Sequence, residues 1–234
     1  MSSNHDSGEE IRTTGSGFPA VRVVRKDVRR VSIRVLSDGT VRITAPPEFD
    51  IGPVIDRHRD WIVRQQARVS ACAAEHGGSE HVMLLHGRPY HLVPGPGCLV
   101  DEMAGEVRYT SPLTLKKALI SWLREDLSGR IARHAALMDV SPGRLSIRMQ
   151  RTRWASCSAR GTISANLRLM AVPPALRDYI VVHELAHLIE PNHSARYWRL
   201  VTAFYPDFAD AELELKKYWV VVERNVIWKQ IQEL

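Results

Sequence analysis

Residues 179–193 read YIVVHELAHLIEPNH, and this stretch decides how the chain is read. It contains His183-Glu184-Leu185-Ala186-His187, the pattern H-E-x-x-H. On an α-helix, residues four apart differ by about 40° in angle and about 6 Å along the axis, so both imidazoles share a face. Placed in this way, they can bind one Zn²⁺ ion at ~2.0–2.1 Å each. Glu184 lies about 100° round the helix and flanks the ion rather than binding it, where a carboxylate can take a proton from water. His193 follows beyond Pro191, and proline is a poor helix continuer, so the chain is expected to turn there and bring His193 back as third ligand. Three protein ligands with one open position is the coordination of a catalytic zinc. Glu190 is a rival within about 20° of His183, but it sits roughly 10 Å further along the axis, which favours His193. The bare pattern is expected by chance about 0.025 times at this composition, and about 0.001 times with His at 193 as well.

The surroundings suit a helix over 175–190. Leu176, Ile180, Val181, Leu185, Leu188 and Ile189 give it a buried stripe, and Pro173-Pro174 opens it. Ser194 can cap a following helix that carries Tyr197, Trp198, Leu200, Val201 and Phe204, and Pro206 closes it. A further helical stretch is expected over 208–231.

Working outward, residues 18–45 alternate apolar and polar, which predicts a half-buried antiparallel meander whose arginines form its wet face. Residues 52–76 read as an amphipathic helix stopped by Gly77-Gly78. Residues 81–110 read as two hairpins, turning at His86-Gly87 and near Gly105. Residues 112–138 form the longest helical pattern, with Pro112 in its first turn and a stripe running from Leu115 to Leu137. Residues 144–152 and 162–167 read as strands, with Trp154–Ser158 leading into a loop between them. Neither an internal repeat nor a Walker loop nor a dinucleotide glycine fingerprint is present. His86, His91 and His134 are expected to be structural or exposed. Cys157 is expected to be a small packing residue rather than a nucleophile.

The 234 residues are 44% hydrophobic and 25% charged, an ordinary globular balance with ample material for a core. No apolar run approaches the ~20 residues of a membrane span, and the N-terminus lacks the pattern of a secretory signal. Three scattered cysteines argue against a disulfide framework and for a reducing, cytoplasmic setting. The net charge of +6 leaves a nucleotide or nucleic-acid partner open, although an arginine-rich wet surface accounts for it more simply.

Arg151-Thr152-Arg153-Trp154-Ala155-Ser156-Cys157-Ser158, Gly161-Thr162-Ile163, Asn166, the HELAH helix, Asn192-His193-Ser194 and Tyr197-Trp198 together resemble the YgjP-like metallopeptidase family, which is related to the SprT-type zinc proteases. The likeness extends over nearly the whole chain and is most specific over 148–206. Ala155 departs from the family's usual Gly. The resemblance implies a minimal zincin fold with three histidine ligands and a catalytic glutamate, roles that fall on His183, His187, His193 and Glu184. The expected fold class is therefore α+β: a disordered tail over 1–17, a mainly β region with one helix over 18–110, and a zincin-like metal-binding region over 111–234.

The function expected is zinc-dependent hydrolysis, with a peptide or protein as substrate. The edge of the strand near Arg148–Thr152 could hold an extended peptide, and Tyr197 and Arg153 are candidates for stabilising the oxyanion. One alternative keeps the metal but hydrolyses a nucleotide phosphoanhydride, with arginines on the phosphates. It lacks a carboxylate cluster for Mg²⁺. The other is a zinc-containing nucleic-acid-binding protein without turnover, for which Glu184 has no use. No substrate-binding residue is identified from sequence.

Overall fold

The structure is a computed structural model that describes residues 9–12, 21–36, 38–75 and 81–234. It divides into two compact units, Met1–Gly77 and Gly78–Leu234. The division falls at the expected end of the first helix rather than near 110, so both hairpins of 81–110 belong with the histidine-bearing part.

The first unit holds strands β1 (Glu9–Arg12), β2 (Val21–Arg25), β3 (Ser32–Val35) and β4 (Val41–Ala45), followed by helix α1 (Gly52–Glu75). The alternation puts Val21, Val23, Val41, Ile43 and Ala45 against Ile51, Ile55 and Ile62 in one buried cluster. Arg34 and Arg42 pair across β3 and β4 on the exposed face, as the wet-face reading expects. The strand order is β1-β2-β4-β3, however, and β2 runs parallel to β4. The sheet is therefore mixed and not a simple antiparallel meander. Alternation reports which face is buried and carries no information about strand direction. Residues 9–12, expected in a disordered tail, pair with β2. The rest of that tail, together with His76 and the Gly77-Gly78 stop, lies outside the described residues.

The second unit opens with β5 (Val82–Leu85), β6 (Arg88–Pro94), β7 (Cys98–Asp101) and β8 (Glu106–Tyr109), followed by α2 (Pro112–Met138). The order is β5-β6-β8-β7 with β6 parallel to β8, which repeats the arrangement of the first sheet and its helix. Nothing in the sequence announces this repetition. The stripe of α2 is buried at Leu115, Leu119, Leu123, Leu127 and Ile131, while Leu137 is exposed and Met138 takes the inner place. Ser111 caps α2 by accepting the Thr114 N–H.

Strands β9 (Leu145–Arg148), β10 (Ala155–Cys157) and β11 (Ile163–Asn166) form a small sheet in the order β10-β11-β9. Two expectations shift here: the first strand stops at Arg148, and Ala155–Cys157, read as the start of a loop, is an edge strand. Asn166 accounts for the geometry between them, because its side-chain amide donates to the Gln150 and Arg153 carbonyls at 2.8 Å each. A 3₁₀ turn (Leu167–Ala171) leads into α3 (Pro174–Ala186), then α4 (Ala195–Phe204), α5 (Phe208–Arg224) and α6 (Val226–Glu233). Ser194 caps α4 as expected, accepting the Tyr197 N–H. The expected helix over 208–231 is two helices. Asn225 breaks it by accepting the Trp228 N–H while donating to the Val82 carbonyl at 2.7 Å.

The turn of the β5–β6 hairpin positions α3. His86 and Gly87 both have positive φ, which the two-residue primed turn requires. Their backbone N–H groups donate to the Met170 and Ala171 carbonyls at 2.8 Å. A Cβ on Gly87 would stand 2.6 Å from the Pro173 ring, so only glycine lets the hairpin tip lie against the start of α3.

Candidate metal centre

Helix α3 ends at Ala186, four residues earlier than the apolar pattern predicts. Tighter turns follow, in which the Leu188 N–H donates to the Leu185 carbonyl and the Ile189 N–H to the Ala186 carbonyl. Pro191 prevents the helix from resuming. His187 still keeps near-helical backbone angles (φ −65, ψ −18), so it remains on the face of His183. The chain then doubles back, and His193 returns to the pair.

The ligand-type nitrogens of His183, His187 and His193 all lie within 4.8 Å of one another, the one such group among the described residues. The Nε2 atoms of His183 and His193 are 3.3 Å apart. Two ligands at ~2.0–2.1 Å on a tetrahedral ion stand about 3.3–3.4 Å apart, so the donor set and its spacing fit zinc. Glu190, the sequence rival, is outside this group, and its carboxylate lies 3.9 Å from Arg196 Nε.

Two of the three imidazoles are oriented by partners outside the cluster. His187 bonds to the backbone at Glu190 and Pro191. The Nδ1 of His183 lies 3.4 Å from the Tyr179 hydroxyl, which donates to Glu212 Oε1 at 3.3 Å. With Nε2 turned to the cluster, Nδ1 carries the hydrogen, so the chain runs from imidazole to hydroxyl to carboxylate. Tyr197 donates to the His183 carbonyl at 2.9 Å and is fully buried. Its hydroxyl is thus committed to the helix backbone, which removes it as an oxyanion donor. Burial, reinforced by the neighbouring histidines, pulls the His183 imidazole down to about 4. It is therefore neutral near pH 7, the state in which imidazole binds a metal.

Glu184 is 5% exposed. Burial pushes its carboxyl up to about 7, against the opposing effects of a hydrogen bond from the Cys157 backbone N–H and the charge of Arg153. Cys157 thus serves the site through its backbone. Burial also raises its thiol, which contacts the Ser158 carbonyl at 3.6 Å, a setting that disfavours a thiolate nucleophile.

Of the sequence candidates, the structure brings together His183, Glu184, His187 and His193, and places Arg153 beside them in the cleft. The edge strand beside this cleft is β10, with Thr152, Arg153, Trp154 and Ala155 in the lining; β9 forms the opposite edge of its sheet. Tyr179, Glu212 and Trp219 were missed. Tyr179 carried a signal, since it precedes His183 by one helical step. Glu212 and Trp219 come from α5, and no local spacing links them to the motif.

A family model described as "YgjP-like, metallopeptidase domain" matches residues 29–218. No curated protein matches the chain. Among solved structures, the metallopeptidase zymogen of Pyrococcus abyssi abylysin is similar at 23% identity and a TM-score of 0.38, over 42% of this chain and 97% of that one. Among the described residues no helix is long and apolar enough to cross a membrane.

Proposed function

The chain belongs to the YgjP-like metallopeptidase family, and from that membership and the geometry of the cleft we propose that it is a zinc peptidase with Glu184 as general base. The observation that carries the reading is a buried carboxylate, held by the Cys157 N–H, directly beside a cluster of three histidines. His183, His187 and His193 are the residues that would hold the ion. Bound there, zinc supplies Lewis acidity toward a substrate carbonyl and toward water.

The protein's own groups do the rest. Glu184 takes a proton from the attacking water and passes it to the leaving amine. The Cys157 N–H fixes the orientation of that carboxylate. The substrate backbone lies extended along the outer edge of β10, adding a strand to the sheet. Arg153, in the cleft lining, is the candidate donor to the developing oxyanion. The three scattered cysteines, of which Cys98 and Cys157 are free, support a cytoplasmic setting.

The test is metal analysis of the purified protein followed by a hydrolysis screen of peptides and nucleotides. About one Zn²⁺ per chain, its loss in His187→Ala and in His193→Ala, and cleavage of peptides are expected. Metal content unchanged in both variants would overturn the ligand set. Turnover of nucleotides alone would replace the peptidase reading with phosphoanhydride hydrolysis.

A further inference from the structure

A cleft of ≈ 380 Å³ opens beside His183 and Glu184. The apolar part of its lining comes from Ile180 on α3, Leu215 and Trp219 on α5, and Trp154 and Ala155 at the head of β10. Ile180 and Leu215 are buried, whereas Trp154 and Trp219 are half-buried and present ring surface to the cleft. The two indoles meet edge to face, with centroids 4.9 Å apart and planes at 88°. The Arg168 guanidinium stands 5.2 Å from the Trp219 ring centroid and holds it from another side. The aromatic wall is therefore fixed in advance of any ligand.

The volume lies at the lower end of the range for small-molecule pockets, enough for one large side chain. The charged lining groups are Arg153 and Lys216, both exposed, and Glu212, whose carboxylate is engaged by the Tyr179 hydroxyl. Glu184 belongs to the reacting centre. The cleft thus offers apolar ring surface together with two exposed cations, Arg153 and Lys216, and two acidic residues, Glu184 and Glu212. Because His183 and Glu184 form part of the same lining, whatever fills the cleft sits next to the bond being cut.

We propose that this cleft is a specificity subsite that takes a large apolar side chain, aromatic foremost, from a residue flanking the scissile bond. The proposal rests on the peptidase reading given above. An aromatic substrate side chain would gain both burial and edge-to-face contact with the fixed indoles. A small side chain would leave the cleft unfilled.

Two readouts on the zinc-loaded full chain separate the subsite from the chemistry. The first is binding: the N-acetyl amides of Phe, Ala and Lys are titrated while the indole N–H signals of Trp154 and Trp219 are followed by NMR. The Phe compound should shift both signals in the millimolar range, and the other two should leave them in place. The second is cleavage of a randomised peptide mixture, with products read by mass spectrometry. Phe at one flanking position should exceed Ala by at least about tenfold, on the scale of one or two methylenes in an apolar pocket. Trp219→Ala should reduce the Phe-to-Ala ratio, and Trp219→Phe should recover part of it. Leu215→Ala widens the cleft by a different route and should move the preference toward Trp, which covers the case in which Trp219→Ala does not fold. Cleavage without apolar preference on either side, with the indole signals unmoved, would overturn the subsite and leave the peptidase reading intact. Indole shifts specific to the Phe compound, with no peptide cleaved, would uphold the apolar site and overturn the peptidase reading.

Discussion

Arg177 on α3 donates to the Asp126 carboxylate on α2 at 2.9 Å, across 51 positions of sequence. The same guanidinium bonds to His86 at the β5–β6 turn and donates to the Val172 carbonyl at 3.2 Å. One buried cation, 1% exposed, therefore ties a hairpin, a helix and the approach to α3 together at the end of α3 remote from the histidines. Arg177→Ala leaves Asp126 short of a partner and a cavity behind it. The expected cost is about 3 kcal/mol, the scale of breaking a buried ion pair. Arg177→Lys keeps the charge but not the fork and should recover only part of it. Urea unfolding of the three proteins checks this, and a midpoint unchanged in Arg177→Ala would refute it.

Asp126 gives the fold a pH dependence. Burial by itself would raise its carboxyl, but the hydrogen bonds and charges of Arg130 and Arg177 outweigh this and hold it below the ordinary carboxylate value. A depressed folded-state value means that the unfolded chain binds the proton more readily. The stabilisation is therefore full above the unfolded value of ~3.9 and is lost as pH falls through the lower folded one. Stability should decline more steeply with acid in the natural protein than in Asp126→Asn, which lacks this titration. Melting temperatures collected from about pH 5 to pH 2 decide the matter; parallel curves would exclude Asp126 as a source of the slope.

Glu184→Gln separates chemistry from scaffold. A glutamine oxygen can still accept the Cys157 N–H, so the fold and the three histidines should be undisturbed. Loss of the carboxylate base should lower turnover by ~10²–10⁴. Zinc content, melting temperature and peptide turnover measured on one preparation give the answer. Full activity in a zinc-loaded Glu184→Gln protein would remove the catalytic role.

The path from His183 through Tyr179 to Glu212 should be felt in metal affinity. Partners of a ligating imidazole typically contribute 10–100-fold. Tyr179→Phe removes the hydroxyl and Glu212→Ala the carboxylate, and each should weaken zinc binding by about tenfold in competition with a chelator. Affinity equal to that of the natural protein in both would mean that the two residues only fill space.

The part of the site carried by one helix and the turn after it was legible in the sequence, because four-residue spacing on a helix converts directly into a shared face. His193 was reachable for a related reason, since Pro191 forces the chain to turn and leaves it short. The groups that complete the cleft were not legible. Glu212 and Trp219 reach it from α5, and only tertiary packing brings that helix beside α3. Helix ends suffered in the same way: the apolar pattern runs on to Ile189, whereas the hydrogen bonding has already tightened after Ala186. Asn225 splits the last helix because its amide reaches Val82 far back in the chain, a contact that local periodicity cannot register.

The repeated strand order carries a consequence for how each sheet is assembled. In both, two sequence-local hairpins meet along a parallel inner seam, β2 with β4 and β6 with β8. A hairpin closes within about 1–10 μs, and the β5–β6 hairpin has the advantage of a two-residue turn. The seam joins one strand from each hairpin, so it closes a longer stretch of chain than either turn does. Zipping of the seam, rather than closure of a turn, is therefore the event that commits each sheet, and the chain performs it twice. Mutational φ-values near the His86-Gly87 turn should accordingly exceed those for the contacts between β6 and β8.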